Sequence, residues 1–429
     1  MNVLVCDDRD DADIVAAIND ATGARNLSVK AVTLVGTTLG EKIVEFFDQV
    51  RELLDGKGEI REIKSAFDSA EIVLLDYGLT TLPGFKVRLT ADMVAGYIRA
   101  FSDAAYVVAL NKNPNIDFDL KYLLGDFDTR ADLALRTEHL GEPGLWDGQN
   151  DSDTDFCPWY WPKLCRAPGR RTQQIDVVEQ NLDASILHTL RFPPEVLPHL
   201  SRQAIAFLSP LADDEHEGAP EAEAMSVANI TFWNHFQRSN RTLPRNDREA
   251  LLRRYGANLE DSAPPKDPAL RKIAARVVAG ELDFWFRRDI LGPQKLLIDP
   301  PHLQAWLRFR DGEDADDLSA WNRTAVELQE PYGLDSRIVA ALPEQAKFVD
   351  QPWTDCPAFW LPLIEEDEGF DKILENANRT SNYVFCEDIR RFLPRSECTR
   401  FVSELTKGID VRYVKKLDKQ YSPASQFAF

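Results

Sequence analysis

Three aspartates stand at the ends of apolar runs, and their carboxylates are the side chains best placed to do chemistry. Asp7 and Asp8 follow the run Val3–Cys6, and Asp76 follows Ile72–Leu75. Short apolar runs of this kind are typical of parallel strands that are covered on both faces. Open parallel sheets bind ligands at the carboxyl ends of their strands, so the three aspartates are expected to converge. Converging carboxylates repel one another unless a cation lies among them, and their oxygens suit Mg²⁺.

The segments around these aspartates alternate between strand and helix patterns. Apolar runs of strand type cover residues 3–6, 27–35, 72–75, 106–110 and 131–135, and apolar residues at helical spacing cover 11–22, 40–54 and 91–101. Such alternation predicts an α/β fold with a doubly wound parallel sheet over residues 1–146.

This pattern resembles the receiver domain of two-component response regulators, which has a flavodoxin-like fold. The resemblance covers about the first third of the chain and implies roles for four residues. Asp7 and Asp8 would help to hold Mg²⁺, Asp76 would accept the phosphoryl group, and the backbone carbonyl of Gly78 would complete the metal site. It also implies a histidine kinase or another phosphodonor as a partner. A carboxylate attacks a phosphoryl dianion only when the negative charge is neutralised, which is the metal's role.

The sequence departs from the receiver pattern at the fourth and fifth strands. Receivers carry Ser or Thr at the end of the fourth strand, where this chain has Asn111. They carry Lys at the end of the fifth strand, where this chain has Arg136 without the usual proline after it. Lys112 is expected to supply the lost ammonium from a different backbone position, and Arg136 is the competing cation. The sequence therefore matches the metal-binding half of the receiver site and departs from the half that responds to phosphorylation.

Two other interpretations of the aspartates stay open. Haloacid-dehalogenase-like phosphatases use a strand-end aspartate with Mg²⁺ and a second acid two residues later, a spacing that Asp8 and Asp10 satisfy. That interpretation leaves Asp7 without a role. Strand-end aspartates also cap helices or face solvent in domains that carry no chemistry. No GxSxG, P-loop or GxGxxG motif occurs in the sequence.

The rest of the chain matches no known output domain. An acidic run at 147–155 predicts a linker, and residues 156–429 have a mainly helical pattern that is clearest over Asp267–Ile290. His235 and His302 have no histidine or cysteine at metal-ligand spacing, so packed or surface positions are expected for both. The run Tyr383–Asp388 repeats the pattern of the opening strand, and chance similarity is favoured over a second sheet domain.

Composition narrows the classes of function. The net charge of −21 and the absence of a basic recognition helix argue against specific nucleic-acid binding. Six cysteines lack the spacing of a zinc site or a disulfide framework, which favours reduced thiols in a cytoplasmic protein. No apolar run is long enough to cross a membrane.

Two classes of function follow from these observations. The first is an atypical response-regulator-like signalling protein whose C-terminal region is a non-DNA-binding effector that binds a protein partner, with a dimer as one possible state. The second is a pseudo-receiver scaffold, or an enzyme whose catalytic site lies in the C-terminal region.

Overall fold

The structure is a computed structural model, and it describes the greater part of the chain. The described residues are 1–8, 12–56, 63–79, 82, 89–111, 129–148, 163–209, 227–292, 295–310, 312–327, 332–348, 352–354, 357–375, 381–387, 389–401 and 412–415.

Five parallel strands form the main sheet in the order β2-β1-β3-β4-β5. The strands are β1 (Asn2–Asp7), β2 (Lys30–Val35), β3 (Ile72–Asp76), β4 (Tyr106–Asn111) and β5 (Leu133–Arg136). Every neighbouring pair is parallel. The central strand β3 is buried along its whole length, which explains its continuous apolar sequence. The predicted α/β class with a parallel sheet is confirmed.

Helices cover both faces of this sheet. The helices are α1 (Ala12–Ala24), α2 (Gly36–Asp55) and α3 (Ala91–Phe101). Ile14 and Ile18 of α1 share an apolar cluster with alternate strand residues such as Leu74. Phe46 of α2 and Val94 of α3 share the other cluster with strand residues of the opposite parity. Side chains alternate between the two faces of a strand, so each strand contributes to both clusters.

Beyond β5 the described chain is rich in helices. They are α4 (Pro143–Asp147), α5 (Ala167–Gln180), α6 (Ile186–Thr189), α7 (Arg202–Leu208), α8 (Phe232–Arg238), α9 (Arg245–Arg254), α10 (Pro268–Trp285), α11 (Pro300–Leu307), α12 (Leu318–Val326), α13 (Ser336–Ala341), α14 (Leu361–Glu365) and α15 (Glu368–Glu375). A π-helical turn at Phe286–Ile290 continues α10, so the predicted helix over 267–290 has two parts. Asp267 caps α10 by accepting a hydrogen bond from the Ala269 amide, and Pro268 occupies the first turn, where no amide donor is needed.

Two small sheets add to the helical C-terminal region, and neither was predicted from the sequence pattern. The strands are β6 (Leu297–Ile298), β7 (Lys347–Phe348), β8 (Ala358–Trp360), β9 (Tyr383–Cys386), β10 (Arg391–Pro394), β11 (Cys398–Phe401) and β12 (Arg412–Lys415). They form sheets of order β6-β8-β7 and β10-β9-β12-β11. The run that repeats the opening strand becomes β9, which pairs antiparallel with β10 and therefore does not repeat the main sheet.

One apolar cluster continues from the main sheet into the C-terminal region. It contains Val73 and Phe46 together with Val278 and Trp285 of α10. The boundaries proposed for a first domain and a linker remain predictions. Within the predicted linker, Asp147 ends α4 and Gly148 has a left-handed φ of 73°, and the other residues lie outside the described ranges.

Buried charges cross the same contact. Asp132, which precedes β5, accepts a hydrogen bond from Arg171 at 2.5 Å and forms an ion pair with Arg99. Asp283 of α10 forms ion pairs with Arg287 at 2.9 Å and with Arg171 at 3.4 Å. Burial raises the pKa of Asp283, but the Arg287 and Arg171 charges outweigh burial and lower it. The arginines therefore keep the Asp283 carboxylate charged in the interior.

Among the described helices, none combines the length and the apolarity that crossing a membrane requires.

Candidate metal centre

The three aspartates meet at the carboxyl edge of the main sheet. One ligand oxygen of Asp7, one of Asp8 and one of Asp76 all lie within 4.8 Å of one another. Asp7 and Asp76 are almost fully buried, with 1% and 7% of their surface exposed, and Asp8 is half-buried. Within the described ranges, no other set of three acidic, histidine or cysteine side chains brings its ligand atoms this close.

Strand register explains why residues that are far apart in sequence converge. In the β1–β3 pair Cys6 lies opposite Leu75, so the next residues, Asp7 and Asp76, lie side by side where both strands end. Two residues earlier on each strand, Val5 and Leu74 belong to the cluster beneath α1. Because side chains alternate, Asp7 and Asp76 belong to that same face of the sheet.

The donor set fits Mg²⁺. All three groups offer carboxylate oxygens, which hard divalent cations prefer. Octahedral Mg²⁺ has ligands at about 2.1 Å, so two ligands on opposite sides are about 4.2 Å apart. The limit of 4.8 Å on the oxygen separations is close to that span. At 4.8 Å two like unit charges repel by roughly 3.5 kcal/mol at an effective dielectric constant of about 20, and a bound cation would offset that repulsion.

Gly78 lies beside the site. A Cβ atom at Gly78 would be 3.7 Å from Oδ2 of Asp76, an ordinary contact distance. The loop between them is fixed by Tyr77, whose amide donates to the Leu110 carbonyl at 2.8 Å and whose carbonyl accepts from the Ala91 amide at 3.2 Å. These bonds join the end of β3 to β4 and to the start of α3. The role of the Gly78 carbonyl as a metal ligand stays a prediction.

Asn111 and Arg136 end the next two strands, as their predicted positions require. They are partners in the β4–β5 register, one residue beyond the pair formed by Asp76 and Leu110. Two strand spacings of about 4.8 Å separate β3 from β5, which puts the Arg136 Cα about 10 Å from that of Asp76. Alternation starts the Arg136 side chain on the face opposite to that of Asp76, so its guanidinium would have to pass around the strand ends to reach that carboxylate.

Arg136 is buried, with 3% of its surface exposed. One terminal nitrogen donates to Glu138 at 2.9 Å, and Nε has no hydrogen-bond partner among the described residues. Burial, together with the Arg136 charge, lowers the pKa of nearby His139 to about 3. His139 is therefore neutral at physiological pH, and of these two residues only Arg136 carries a positive charge.

Two further residues named from the sequence lie outside the described ranges. They are Lys112 and Asp10. The replacement of the receiver lysine by Lys112 therefore stays a prediction, and so does the phosphatase-like pairing of Asp8 with Asp10.

His235 and His302 are both buried, as one of the two expected positions requires, but the carboxylates that they contact were not predicted from the sequence. His302 Nδ1 lies 2.5 Å from Asp299, and Nε2 lies 3.0 Å from Glu387. Burial disfavours the charged ring, but the Asp299 and Glu387 charges outweigh burial and raise the pKa of His302 to about 9. His235 lies 3.1 Å from Glu281. Burial raises the pKa of Glu281, but the His235 contact and further hydrogen bonds lower it to about 2.

The spacing of Asp299 and His302 at the start of α11 was visible in the sequence, because a cap residue often bonds the third residue of its helix. Glu387 was not identifiable, since it lies 85 residues from His302. Both histidines contact carboxylates inside the fold. Neither belongs to the cluster of ligand atoms that the three aspartates form.

Comparisons with protein-family models, with curated proteins and with solved structures found no match to this chain.

Proposed function

We propose that this protein is an atypical response-regulator-like signalling protein. Asp76 accepts a phosphoryl group with the help of Mg²⁺, and the resulting change controls a C-terminal effector that does not bind DNA. The observation that carries the proposal is the convergence of Asp7, Asp8 and Asp76 within 4.8 Å.

The strand order supports a receiver-like assignment. Parallel sheets of order 2-1-3-4-5 are typical of flavodoxin-like folds, in which ligands bind at the carboxyl ends of the strands beside the first and third strands. The main sheet has this order, and its aspartates end β1 and β3. A receiver-like domain of flavodoxin type is therefore the finer fold that we propose for the N-terminal third.

The proposed reaction uses groups at this edge of the sheet. Asp7, Asp8 and Asp76 would hold Mg²⁺, with Gly78 as a further ligand, and the bound ion would neutralise charge on the phosphoryl oxygens. A carboxylate oxygen of Asp76 attacks phosphorus, and the bond between phosphorus and the donor's leaving group breaks. A histidine kinase or a small phosphodonor supplies the group.

The cation at the end of β5 is suited to detect the new charge. A phosphoaspartate adds negative charge and strong acceptor oxygens to a partly dry cleft. Arg136 is buried and keeps a donor atom without a partner among the described residues. We propose that Arg136 moves toward the phosphoryl group, with Lys112 as the alternative cation, and that the change passes along β4 and β5 to the C-terminal region.

The first experiment is phosphorylation of the full chain. We expect wild-type protein incubated with acetyl phosphate and Mg²⁺ to gain one phosphoryl group in an intact-mass spectrum. Asp76→Asn should gain none, because its amide is not a nucleophile. Asp13→Asn, which changes an exposed acid in α1, should behave like wild type. Removing Mg²⁺ with EDTA should abolish the adduct.

Two outcomes would contradict this proposal. One is a wild-type protein that gains no phosphoryl group although circular dichroism shows it to be folded. The other is an Asp76→Asn variant that is modified as extensively as wild type.

A pseudo-receiver scaffold is the second candidate, and one contact favours it. Arg136, which takes the position of the receiver lysine, is already ion-paired with Glu138 at 2.9 Å. A domain of this kind would bind Mg²⁺ at the aspartates and position a protein partner on the C-terminal region without phosphoryl transfer. Calorimetry that detects Mg²⁺ binding lost in Asp8→Asn, in a protein that no phosphodonor modifies, would favour the scaffold.

A further inference from the structure

Two cysteines that the sequence separates come together in the C-terminal four-stranded sheet. Cys386 ends β9 and Cys398 begins β11. Their sulfur atoms lie 2.9 Å apart. Both side chains are buried, with no exposed surface at Cys386 and 6% at Cys398. The strand order does not suggest this contact, because β12 lies between β9 and β11 in the sheet. The sequence spacing of the two cysteines does not suggest it either.

The short connection from β10 to β11 explains why the two sulfur atoms are in contact. These two strands lie at opposite edges of the sheet, three strand spacings or about 14 Å apart if the sheet were flat. The chain joins them through a single 3₁₀ turn, Arg395–Glu397, which rises only about 2 Å per residue. The sheet must therefore curl strongly. Curling brings both cysteines into one small apolar cluster with Ile389.

The sulfur separation is intermediate between contact and bonding. Non-bonded heavy atoms in close packing are about 3.5–4.0 Å apart, and a disulfide requires about 2.05 Å. The observed 2.9 Å leaves a movement of about 0.9 Å between the two sulfurs for bond formation. We propose that Cys386 and Cys398 are a reversible dithiol–disulfide pair, oxidised by a hydroperoxide or a small-molecule disulfide. This site is separate from Asp76 and does not depend on the proposed phosphorylation.

The reaction with hydrogen peroxide balances without another reactant. The Cys398 thiolate attacks one peroxide oxygen, the O–O bond breaks, and water and a sulfenic acid result. The Cys386 sulfur then attacks the Cys398 sulfur, the S–O bond breaks, and the hydroxide leaves with the Cys386 proton as a second water. Two thiols supply two electrons, and one peroxide yields two waters. A thiol-based reductant reverses the step by disulfide exchange.

Burial determines which thiol reacts and with what. Cysteines in apolar surroundings react slowly, because burial disfavours the thiolate. Cys398 retains the larger exposed fraction, so it is assigned the first step. Once it is oxidised, the adjacent Cys386 resolves the sulfenic acid faster than a thiol from solution can reach it. Large oxidants are excluded, and small ones enter when the short strands open locally.

The test compares full-length protein before and after mild oxidation. Reduced protein is treated with hydrogen peroxide or oxidised glutathione, denatured, alkylated and measured by intact mass. We expect alkylation of all six cysteines in the reduced protein and of two fewer after oxidation. Peptide mapping should show a Cys386–Cys398 crosslink, and dithiothreitol should reverse it.

Cysteine variants test which residues form the crosslink. Peptide mapping of the wild-type protein gives the same information even if a variant does not fold. Cys398→Ser should lose the crosslink, whereas Cys165→Ser, a half-buried control elsewhere in the chain, should keep it. Oxidised wild-type protein whose crosslink joins other cysteines would overturn the proposal. So would a Cys386–Cys398 pair that stays reduced after prolonged treatment with hydrogen peroxide and, separately, with diamide.

Discussion

His302 lies between two carboxylates in the interior, and its charge depends on both. Asp299 contacts Nδ1 and Glu387 contacts Nε2, so each ring nitrogen donates to a carboxylate when the ring is protonated. Asp299 also accepts the amide hydrogen bond that caps α11. The imidazolium therefore ties the start of α11 to the end of β9.

This arrangement predicts that stability falls at alkaline pH. The folded pKa of about 9 lies above the ordinary 6.5, so the charged ring contributes stability that is fully present below about pH 6.5. The contribution is lost as pH rises through about 9, and a difference of about 2.5 pH units corresponds to on the order of 3 kcal/mol. Urea unfolding of wild type at pH 6.5 and pH 9.5 should show the loss.

A histidine substitution isolates this effect from other titrations. His302→Gln should be less stable than wild type at pH 6.5 and should lose less stability between the two pH values. His188→Gln, at an exposed position, should keep the wild-type profile. Equal alkaline losses in wild type and His302→Gln would show that the buried ring does not carry the effect.

Sequence patterns identify residues that come together because they lie at the ends of neighbouring strands. Asp7 and Asp76 could be paired in advance because each closes an apolar run and parallel strands end at one edge. The partners of His302 and of Cys386 could not, because those contacts depend on the small four-stranded sheet and on its curl. Arg136 was placed correctly at the end of β5, but its ion pair with Glu138 depends on rotamers that no spacing determines.

Helix α3 packs closely against helix α10 and against the segment at Thr242, and one glycine allows each contact. A Cβ atom at Gly280 would overlap the guanidinium of Arg99, and a Cβ at Gly96 would lie 2.7 Å from the Thr242 carbonyl. Arg99 in turn forms its ion pair with Asp132. The helix contact and the buried charge network therefore depend on the same small residue on α10.

Gly280→Ala is expected to destabilise the protein although alanine favours helix. Alanine in a helix gains up to about 1 kcal/mol over glycine. The added methyl displaces Arg99 from Asp132, and overpacking with loss of a buried ion pair costs about 2–4 kcal/mol. Gly169→Ala in α5 is the matched control, since a Cβ there has no atom within 4 Å. Urea unfolding should show a loss for Gly280→Ala and none for Gly169→Ala; equal stabilities would contradict the contact.

At the level of elements, periodicity succeeds where segments are long or fully buried. The predicted helix 91–101 coincides with α3, and each of the five predicted strand runs overlaps a strand of the main sheet. Strands of two to four residues, such as β6 and β9, carry too few alternations to distinguish them from helix turns or loops. Their pairing partners are also distant in sequence, so propensity alone did not reveal the two small sheets.

The whole molecule carries a net charge of −21, and this charge determines how it interacts with other charged macromolecules when binding is not specific. Nucleic-acid backbones repel such a surface, and the sequence shows no helix-turn-helix with a basic recognition helix that would overcome this repulsion. We expect no sequence-selective binding of duplex DNA by the full chain in fluorescence anisotropy at physiological salt. Sequence-selective binding that persists as the salt concentration rises would contradict this.

The same charge affects metal measurements. Acidic surfaces attract Mg²⁺ weakly at many positions, so a total binding isotherm will not isolate the aspartate site. The specific contribution is the difference between wild type and Asp8→Asn, and it should persist at higher ionic strength, because buried charge pairs are screened less than exposed ones.

The continuous core limits how this chain can be cut and recombined. A fragment that ends at residue 146 would expose the face of α3 that carries Gly96 and Arg99 and would separate Asp132 from Arg171. Grafting another sheet domain onto residues 163–292 would require a small residue at the position of Gly96. Position 96 is expected to stay glycine whatever side chain stands at 242, because its close contact is with the Thr242 backbone. Position 99 is expected to covary with position 280, so the two parts of the chain would change together.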